Sequence, residues 1–148
     1  MKLLVTALFM SGLLLIYLPL HAAEVTSHFG WRKHPVTGNM KFHSGIDIAY
    51  DAGIPIKAVM PGRVVFSGWY GGYGRTVILD HGEGNHTLYA HCSRLNCRYG
   101  QVVTKRETIA FVGSSGISTG PHLHLEWWRA GKYMNPLELL HREGIKLD

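Results

Sequence analysis

The sequence predicts a mostly β fold, an antiparallel sheet folded over into a sandwich- or barrel-like core with a short C-terminal helix. Three observations carry that expectation. Short apolar runs recur along the 148 residues, 18 glycines fall mostly between them, and only the last stretch has helical patterning. Brief β-prone runs punctuated by tight-turn residues are the mark of a sheet that closes on itself. One domain is expected at this length. A content of 46% hydrophobic and 17% charged residues is ordinary for a globular chain and excludes a disordered one.

Met1 to Ala23 stands apart from the fold. Lys2 gives a positive start, Leu3 to Leu20 carry no charge, and Pro19 leads into His21-Ala22-Ala23. That is a secretory pattern, so residues 1–23 are expected to be a signal peptide and 24–148 the working domain, exported to the periplasm or cell envelope of a bacterium. Leu20 or His21 stands where a small residue is preferred for cleavage. An uncleaved membrane anchor is therefore the alternative, because the uncharged run is about long enough to span a bilayer. Without the signal the chain stays mildly basic, since Lys2 is one of 15 basic side chains against 10 acidic ones. Such a charge suits an anionic envelope but selects no substrate. No dense Lys/Arg run or nucleic-acid motif is present, so nucleic acid is not an expected partner. A monomer is expected.

The elements follow in order. Ser27-His28-Phe29-Gly30-Trp31-Arg32 through Gly38 reads as an ordered loop or arm. Runs rich in β-branched and aromatic residues then cover Ile54 to Val59, Arg63 to Ser67, Thr76 to His81, His86 to His91, Thr108 to Val112 and His122 to Trp128. Turn signals separate them at Pro61-Gly62, Gly71-Gly72-Tyr73-Gly74, Gly82-Glu83-Gly84-Asn85 and Ser114 to Pro121. At the C-terminus Asn135 can cap a helix, Pro136 suits its first position, and Glu138 completes a capping-box-like pattern before Leu139-Leu140.

Cys92 and Cys97 are the only cysteines. In an exported chain they are expected to form a local disulfide, a closure that stabilises by about 2 kcal/mol on the chain-entropy model. Thiolate ligation of a metal is the other reading. His91 adjoins Cys92, but neighbours on a strand leave opposite faces, which keeps the cysteines out of a shared site.

Ten histidines are many for this length, and imidazole is the commonest metal ligand and a general acid or base near neutral pH. Two clusters stand out. His43-Ser44-Gly45-Ile46-Asp47 places a histidine and an aspartate four residues apart, and His122-Leu123-His124 places two histidines at i and i+2. On a strand that second spacing sends both imidazoles to one face while Leu123 and Leu125 face the core. A catalytic zinc wants three protein ligands and an open position. His43, Asp47 and one histidine of the 122/124 pair supply that set; either cluster by itself would equally suit surface residues.

Other candidates carry less. His28, His34, His81, His86 and His141 read as structural or surface histidines. Arg32 and Tyr73 either touch substrate or pack. The loop Ser114 to Gly120 borders the site and offers backbone groups to it. Trp127 and Trp128 alternate on a strand, which puts one in the core and one at an edge. Glu126 shares the face of His122 and His124 and is either a partner orienting a ligand or a salt-bridge carboxylate.

These residues resemble the lysostaphin-type (LytM-like) zinc metallopeptidases, which are peptidoglycan endopeptidases. The likeness runs from about Ser27 to Leu140. It includes Phe29-Gly30-Trp31-Arg32 with His34-Pro35, His43-x-Gly-x-Asp47, Gly71-Gly72-Tyr73-Gly74, Leu88-Tyr89-Ala90-His91, Ser118-Thr119-Gly120-Pro121-His122-Leu123-His124 and Asn135-Pro136. Cys97 and Lys105-Arg106-Glu107 depart from the family pattern, at positions away from these motifs. The resemblance implies that His43, Asp47 and His124 hold Zn2+ and that His91 and His122 are the catalytic histidines. It implies a zinc endopeptidase that hydrolyses peptide cross-links of peptidoglycan, with a metal-held water as nucleophile and histidine as acid and base. No His-Glu-x-x-His motif is present, so histidine has to do the proton work. D-alanyl–diaminopimelate and glycyl–glycine bonds are both substrates implied by the likeness. A non-catalytic wall-binding or hydrolase-activating relative is the alternative. Such relatives lose ligands or partner histidines, whereas all five positions are intact here.

Overall fold

A computed structural model describes residues 23–34 and 37–147. Residues 1–22 of the expected signal peptide lie outside the described residues, as does Pro35. Among the described residues, no helix is long and apolar enough to cross a membrane.

The strands are β1 (Glu24–Ser27), β2 (Gly30–Lys33), β3 (Met40–His43), β4 (Gly45–Ala49), β5 (Pro55–Lys57), β6 (Gly62–Trp69), β7 (Arg75–Gly82), β8 (Asn85–Leu95), β9 (Val102–Val103), β10 (Thr108–Val112), β11 (His122–Arg129) and β12 (Lys132–Met134), followed by helix α1 (Pro136–Arg142). The main sheet is antiparallel and runs β1-β4-β11-β8-β7-β6-β9, with β10 joining β5 and β8 and β12 joining β11. The predicted fold class holds. The predicted runs at β5, β6, β7, β8, β10 and β11 are all strands, and α1 starts as expected, with the Asn135 side chain accepting from the Leu137 amide.

The apolar alternation builds the core. Leu123, Leu125 and Trp127 leave one face of β11 and pack with Ile46 and Ile48 of β4 and Leu139 of α1, all of them buried. Removing a side chain of Leu size from water stabilises by roughly 1.5–3 kcal/mol, so this face fixes the register of β11 and with it what the opposite face displays. Trp128, on that opposite face, is only partly buried, as the alternation requires.

Two expectations are corrected. Ser27 to Gly38 is not wholly a loop or arm: β1 ends at Ser27, and within the span β2 pairs with β3 as a separate two-stranded ribbon. Trp31 and Phe42 face each other across that ribbon, ring centroids 5.5 Å apart, and aromatic cross-strand pairs of this kind hold short strands together. The disulfide is also not formed. Cys92 and Cys97 are free thiols: β8 stays extended through Leu95, and Cys92 is locked into the core beneath it.

Candidate active site

Register brings the two sequence clusters together. β11 lies against β4 so that His124 is directly opposite Asp47 and Glu126 is directly opposite Gly45. His43 arrives from the end of β3, one bend before β4, and packs its ring 5.0 Å from that of His124. His43 Nε2 is 3.3 Å and His124 Nδ1 2.7 Å from Asp47 Oδ1, and the two ring nitrogens are 3.2 Å apart.

The far nitrogen of each imidazole decides its tautomer. His43 Nδ1 lies 2.9 Å from the His28 carbonyl oxygen, and His124 Nε2 lies 3.0 Å from Glu126 Oε1. A carbonyl or carboxylate oxygen only accepts, so each of those ring nitrogens carries the hydrogen. The nitrogens left to face Asp47 are His43 Nε2 and His124 Nδ1; a proton held there bridges imidazole and carboxylate, and its loss frees the lone pairs that a metal would take. Three donor atoms within 4.8 Å of one another form a group able to hold a metal ion.

Electrostatics agree with a cation at this point. Burial would raise the Asp47 carboxyl, but hydrogen bonds from His124 and His43 outweigh it and hold the group well below the usual carboxylate range. Burial likewise disfavours a charged His124, yet Asp47 and Glu126 on its two sides raise it to about 8. The site asks for positive charge between its acceptors, whether proton or metal.

Glu126 is fully buried and fully satisfied. Its Oε1 accepts from Ser44 Oγ, from Tyr73 Oη at 2.7 Å and from His124, and its Oε2 accepts from Trp128 Nε1 at 3.0 Å. Both readings open for Glu126 meet in one contact, since the carboxylate that pairs with His124 also faces its Nε2. Tyr73 does its visible work by holding this carboxylate. Gly45 makes the arrangement possible, because a Cβ there would sit 2.2 Å from the Leu125 oxygen and 2.9 Å from Glu126 Cγ.

His91 and His122 stand beside this group, ring centroids 4.7 Å apart, and His122 Nε2 is 3.8 Å from Asp47 Oδ1. His91 Nδ1 is 2.8 Å from the Ser115 carbonyl and His122 Nδ1 is 2.8 Å from the Gly120 carbonyl. In the neutral imidazole the same argument leaves the lone pair of each ring on Nε2. Burial holds His91 below the ordinary histidine value. His91 also has a left-handed backbone, φ 59, uncommon for a residue with a side chain. It sits where β8 exchanges partners, since Ala90 pairs with β11 and Cys92 pairs with β10.

The loop between β10 and β11 supplies the two carbonyls and one wall of the cleft. Gly116, at φ 75, lies so close to the 71–74 turn that a Cβ would be 2.4 Å from the Gly72 oxygen. All five expected site residues line one cleft of about 470 Å³, together with Arg32, Lys41 and residues 117–119. His28, His34 and His141 are exposed, and His81 and His86 are partly buried elsewhere. Ser44 and the carbonyls of His28, Ser115 and Gly120 were not singled out from the sequence; the loop Ser114 to Gly120 as a whole was.

Comparison with known proteins places these features in a group. A family model described as peptidase family M23 matches residues 41–136. The DD-carboxypeptidase/endopeptidase Mpg of Neisseria meningitidis serogroup B is 43% identical over 121 residues, which cover 82% of this chain and 28% of that protein. The peptidoglycan DD-endopeptidase ShyC of Vibrio cholerae is 38% identical over 119 residues, covering 80% of this chain and 28% of that one. The chain thus spans little more than a quarter of the length of these curated relatives. Among solved structures, the catalytic domain of lysostaphin from Staphylococcus simulans superposes with a TM-score of 0.72 at 28% identity, covering 80% of this chain and 92% of that one. A zinc-containing peptidase from Vibrio cholerae superposes with a TM-score of 0.73 at 33% identity, covering 77% and 36%.

Proposed function

The chain belongs to peptidase family M23, and from that premise we propose that it is a zinc-dependent endopeptidase that hydrolyses peptide cross-links of bacterial peptidoglycan. The observation that carries this reading is the convergence of three possible ligand atoms, His43 Nε2, Asp47 Oδ1 and His124 Nδ1, beside two further imidazoles that are hydrogen-bonded through Nδ1 and so leave Nε2 to the cleft.

Two histidines, one carboxylate and an open side fit a catalytic rather than a structural zinc, which would be closed by four ligands. His43, Asp47 and His124 would hold the ion. When bound, zinc supplies a Lewis acid that polarises the scissile carbonyl and makes water acidic enough to attack it near neutral pH. The chain's own residues do the rest. His91 and His122, each pinned through Nδ1 to a backbone carbonyl, present Nε2 to the cleft and cannot rotate away. One accepts the proton of the attacking water, and an imidazolium so formed returns it to the leaving amine. A positioned acid–base step of this kind contributes roughly a hundred- to ten-thousandfold. Glu126 keeps His124 in the tautomer that leaves Nδ1 free, a role that backing carboxylates play at many metal sites.

Relatives named as DD-carboxypeptidase/endopeptidase and as DD-endopeptidase favour a bond between two D-residues, such as a D-alanyl–diaminopimelate cross-link, over a glycyl–glycine bridge. The protein acts outside the cytoplasm, in the periplasm or cell envelope, as a monomer. The test is digestion of purified sacculi with and without a chelator, reading the products by mass spectrometry. Chelator-sensitive release of peptides is expected, and the product masses name the bond. No release by folded, zinc-loaded protein would refute the enzyme reading in favour of a wall-binding or hydrolase-activating role.

A further inference from the structure

The β2–β3 ribbon carries two cations into the cleft. Arg32 and Lys41 are directly opposite each other in its register, two pairs along from Gly30 and His43. Directly opposite residues leave the same face of an antiparallel ribbon, and residues two apart share that face, so Arg32, Lys41 and His43 form one row. All three line the cleft, whereas Trp31, from the neighbouring pair, does not and is solvent-exposed, with Phe42 packed against its ring. Like charges directly opposite each other destabilise a strand pair. Among the described residues neither cation has an acidic partner in the salt bridges, and Arg32 donates only to Ser27 Oγ. Asp47, the carboxylate among the residues that line the cleft, is already engaged by His43 and His124. The opposite wall, residues 117–119, is Ile-Ser-Thr and carries no charge. The repulsion built into this pair is therefore left for something that enters the cleft to relieve.

We infer that Arg32 and Lys41 form a carboxylate-binding subsite at the edge of the cleft, which selects peptides bearing a free carboxylate close to the scissile bond. This rests on the peptidase reading above and names the class of peptide that the site takes. Two residues of strand separate Lys41 from His43, about 7 Å. That is the reach of one to two peptide residues, so the carboxylate belongs to the residue next to the scissile bond or to the one after it. Arginine offers a planar pair of donors to a carboxylate and lysine a point charge, and both bonds are charge-assisted. A diaminopimelate residue has such a carboxylate, either as a chain terminus or on its side chain; a peptide of glycines has none except at its end.

The experiment compares matched synthetic peptides containing a D-alanyl–diaminopimelyl bond. In one both diaminopimelate carboxylates are free, in a second the terminal one is a carboxamide, and in a third the side-chain one is. The zinc-loaded protein should cleave the free peptide with kcat/KM roughly ten- to a hundredfold above the amide whose carboxylate is read. Which amide suffers identifies the source of the carboxylate. That preference should shrink as salt is raised. In Arg32→Gln with Lys41→Gln, the ratio of free to amidated kcat/KM should fall towards one, chiefly through KM. Lys41→Gln alone should melt no lower than the parent, because a repulsion has been removed. An unchanged ratio in the double variant, or equal cleavage of all three peptides by the parent, would overturn the subsite and leave the peptidase reading standing. Cleavage of none of the three would overturn both.

Discussion

Glu126 Oε1 lies 3.0 Å from His124 Nε2, in a pocket where the carboxylate is wholly shielded from solvent. On the proposed zinc reading, this relationship makes Glu126 a determinant of metal affinity without its touching the metal position. Glu126→Gln keeps the shape but lets the amide turn its NH2 group to His124, which favours the wrong tautomer. Zinc affinity should fall roughly ten- to a hundredfold, the usual cost of losing such a backing group. Competition with a chromophoric chelator checks this, and unchanged affinity would refute the orienting role.

The ligand set and the proton-handling pair should separate experimentally. His43→Ala and Asp47→Ala are expected to lose bound zinc and turnover together. His91→Ala and His122→Ala should retain most of the metal and lose about a hundredfold or more in turnover. Metal content by atomic absorption, measured on the same samples as cleavage, distinguishes the two classes. A zinc-loaded His122→Ala protein that cuts at the parent rate would show the assignment to be wrong.

Much of this site was legible because strand periodicity is local. His122 and His124 announce a shared face by their spacing, and Leu123, Leu125 and Trp127 announce the other, so the orientation of β11 followed directly. What β11 would meet was not legible. The pairing of His124 with Asp47 across β4, and the space for Glu126 above Gly45, depend on a register set by the whole core. His91 was placed in the site only through a family resemblance. Its left-handed backbone at the point where β8 changes partners follows from no run of residue types. The β2–β3 ribbon was missed for a related reason: each strand has four residues, and Gly30 and Gly38 read as loop punctuation. The disulfide was misjudged because compartment and spacing say nothing of how straight a strand keeps the intervening chain.

Gly45 offers a sharp stability prediction. Its φ is unexceptional, so the cost of a side chain there is purely one of space. A Cβ would strike the backbone oxygen of Leu125, which cannot swing aside as a side chain would. Gly45→Ala should destabilise by at least the 1–3 kcal/mol or so of ordinary overpacking, and weaken zinc binding by prising Asp47 from His124. Urea denaturation measures the first effect; a midpoint within error of the parent would refute the argument.

His81 should give the fold part of its acid sensitivity. Burial lowers its pKa, only partly opposed by the Pro61 carbonyl 2.8 Å from Nδ1. Because the unfolded chain binds the proton more readily, unfolding takes up protons between the lowered folded value and the ordinary value of about 6.5. This contribution is fully present above that range and is lost as pH falls through it. Stability by denaturant titration should therefore drop as pH falls below about 6.5. His81→Gln, which has no such proton to bind, should show a shallower drop. Equal slopes for parent and variant would exclude His81 as a source.

The two thiols predict an insensitivity to reductant. Cys92 is fully buried in the core, and burial pushes its thiol up to about 12, while Cys97 is raised for the same reason. The thiolate is the reactive form, so neither group is primed for oxidation or alkylation at neutral pH. A bridge closing this loop would lend stability that reductant removes. Free thiols lend none. The melting temperature should be the same with and without reductant, and zinc content should not change. Titration under denaturing conditions should find both thiols, whereas in the folded protein Cys92 should stay unmodified by a bulky alkylating reagent. A reductant-dependent fall in melting temperature, or a mass two hydrogens lighter than the reduced chain, would restore the disulfide.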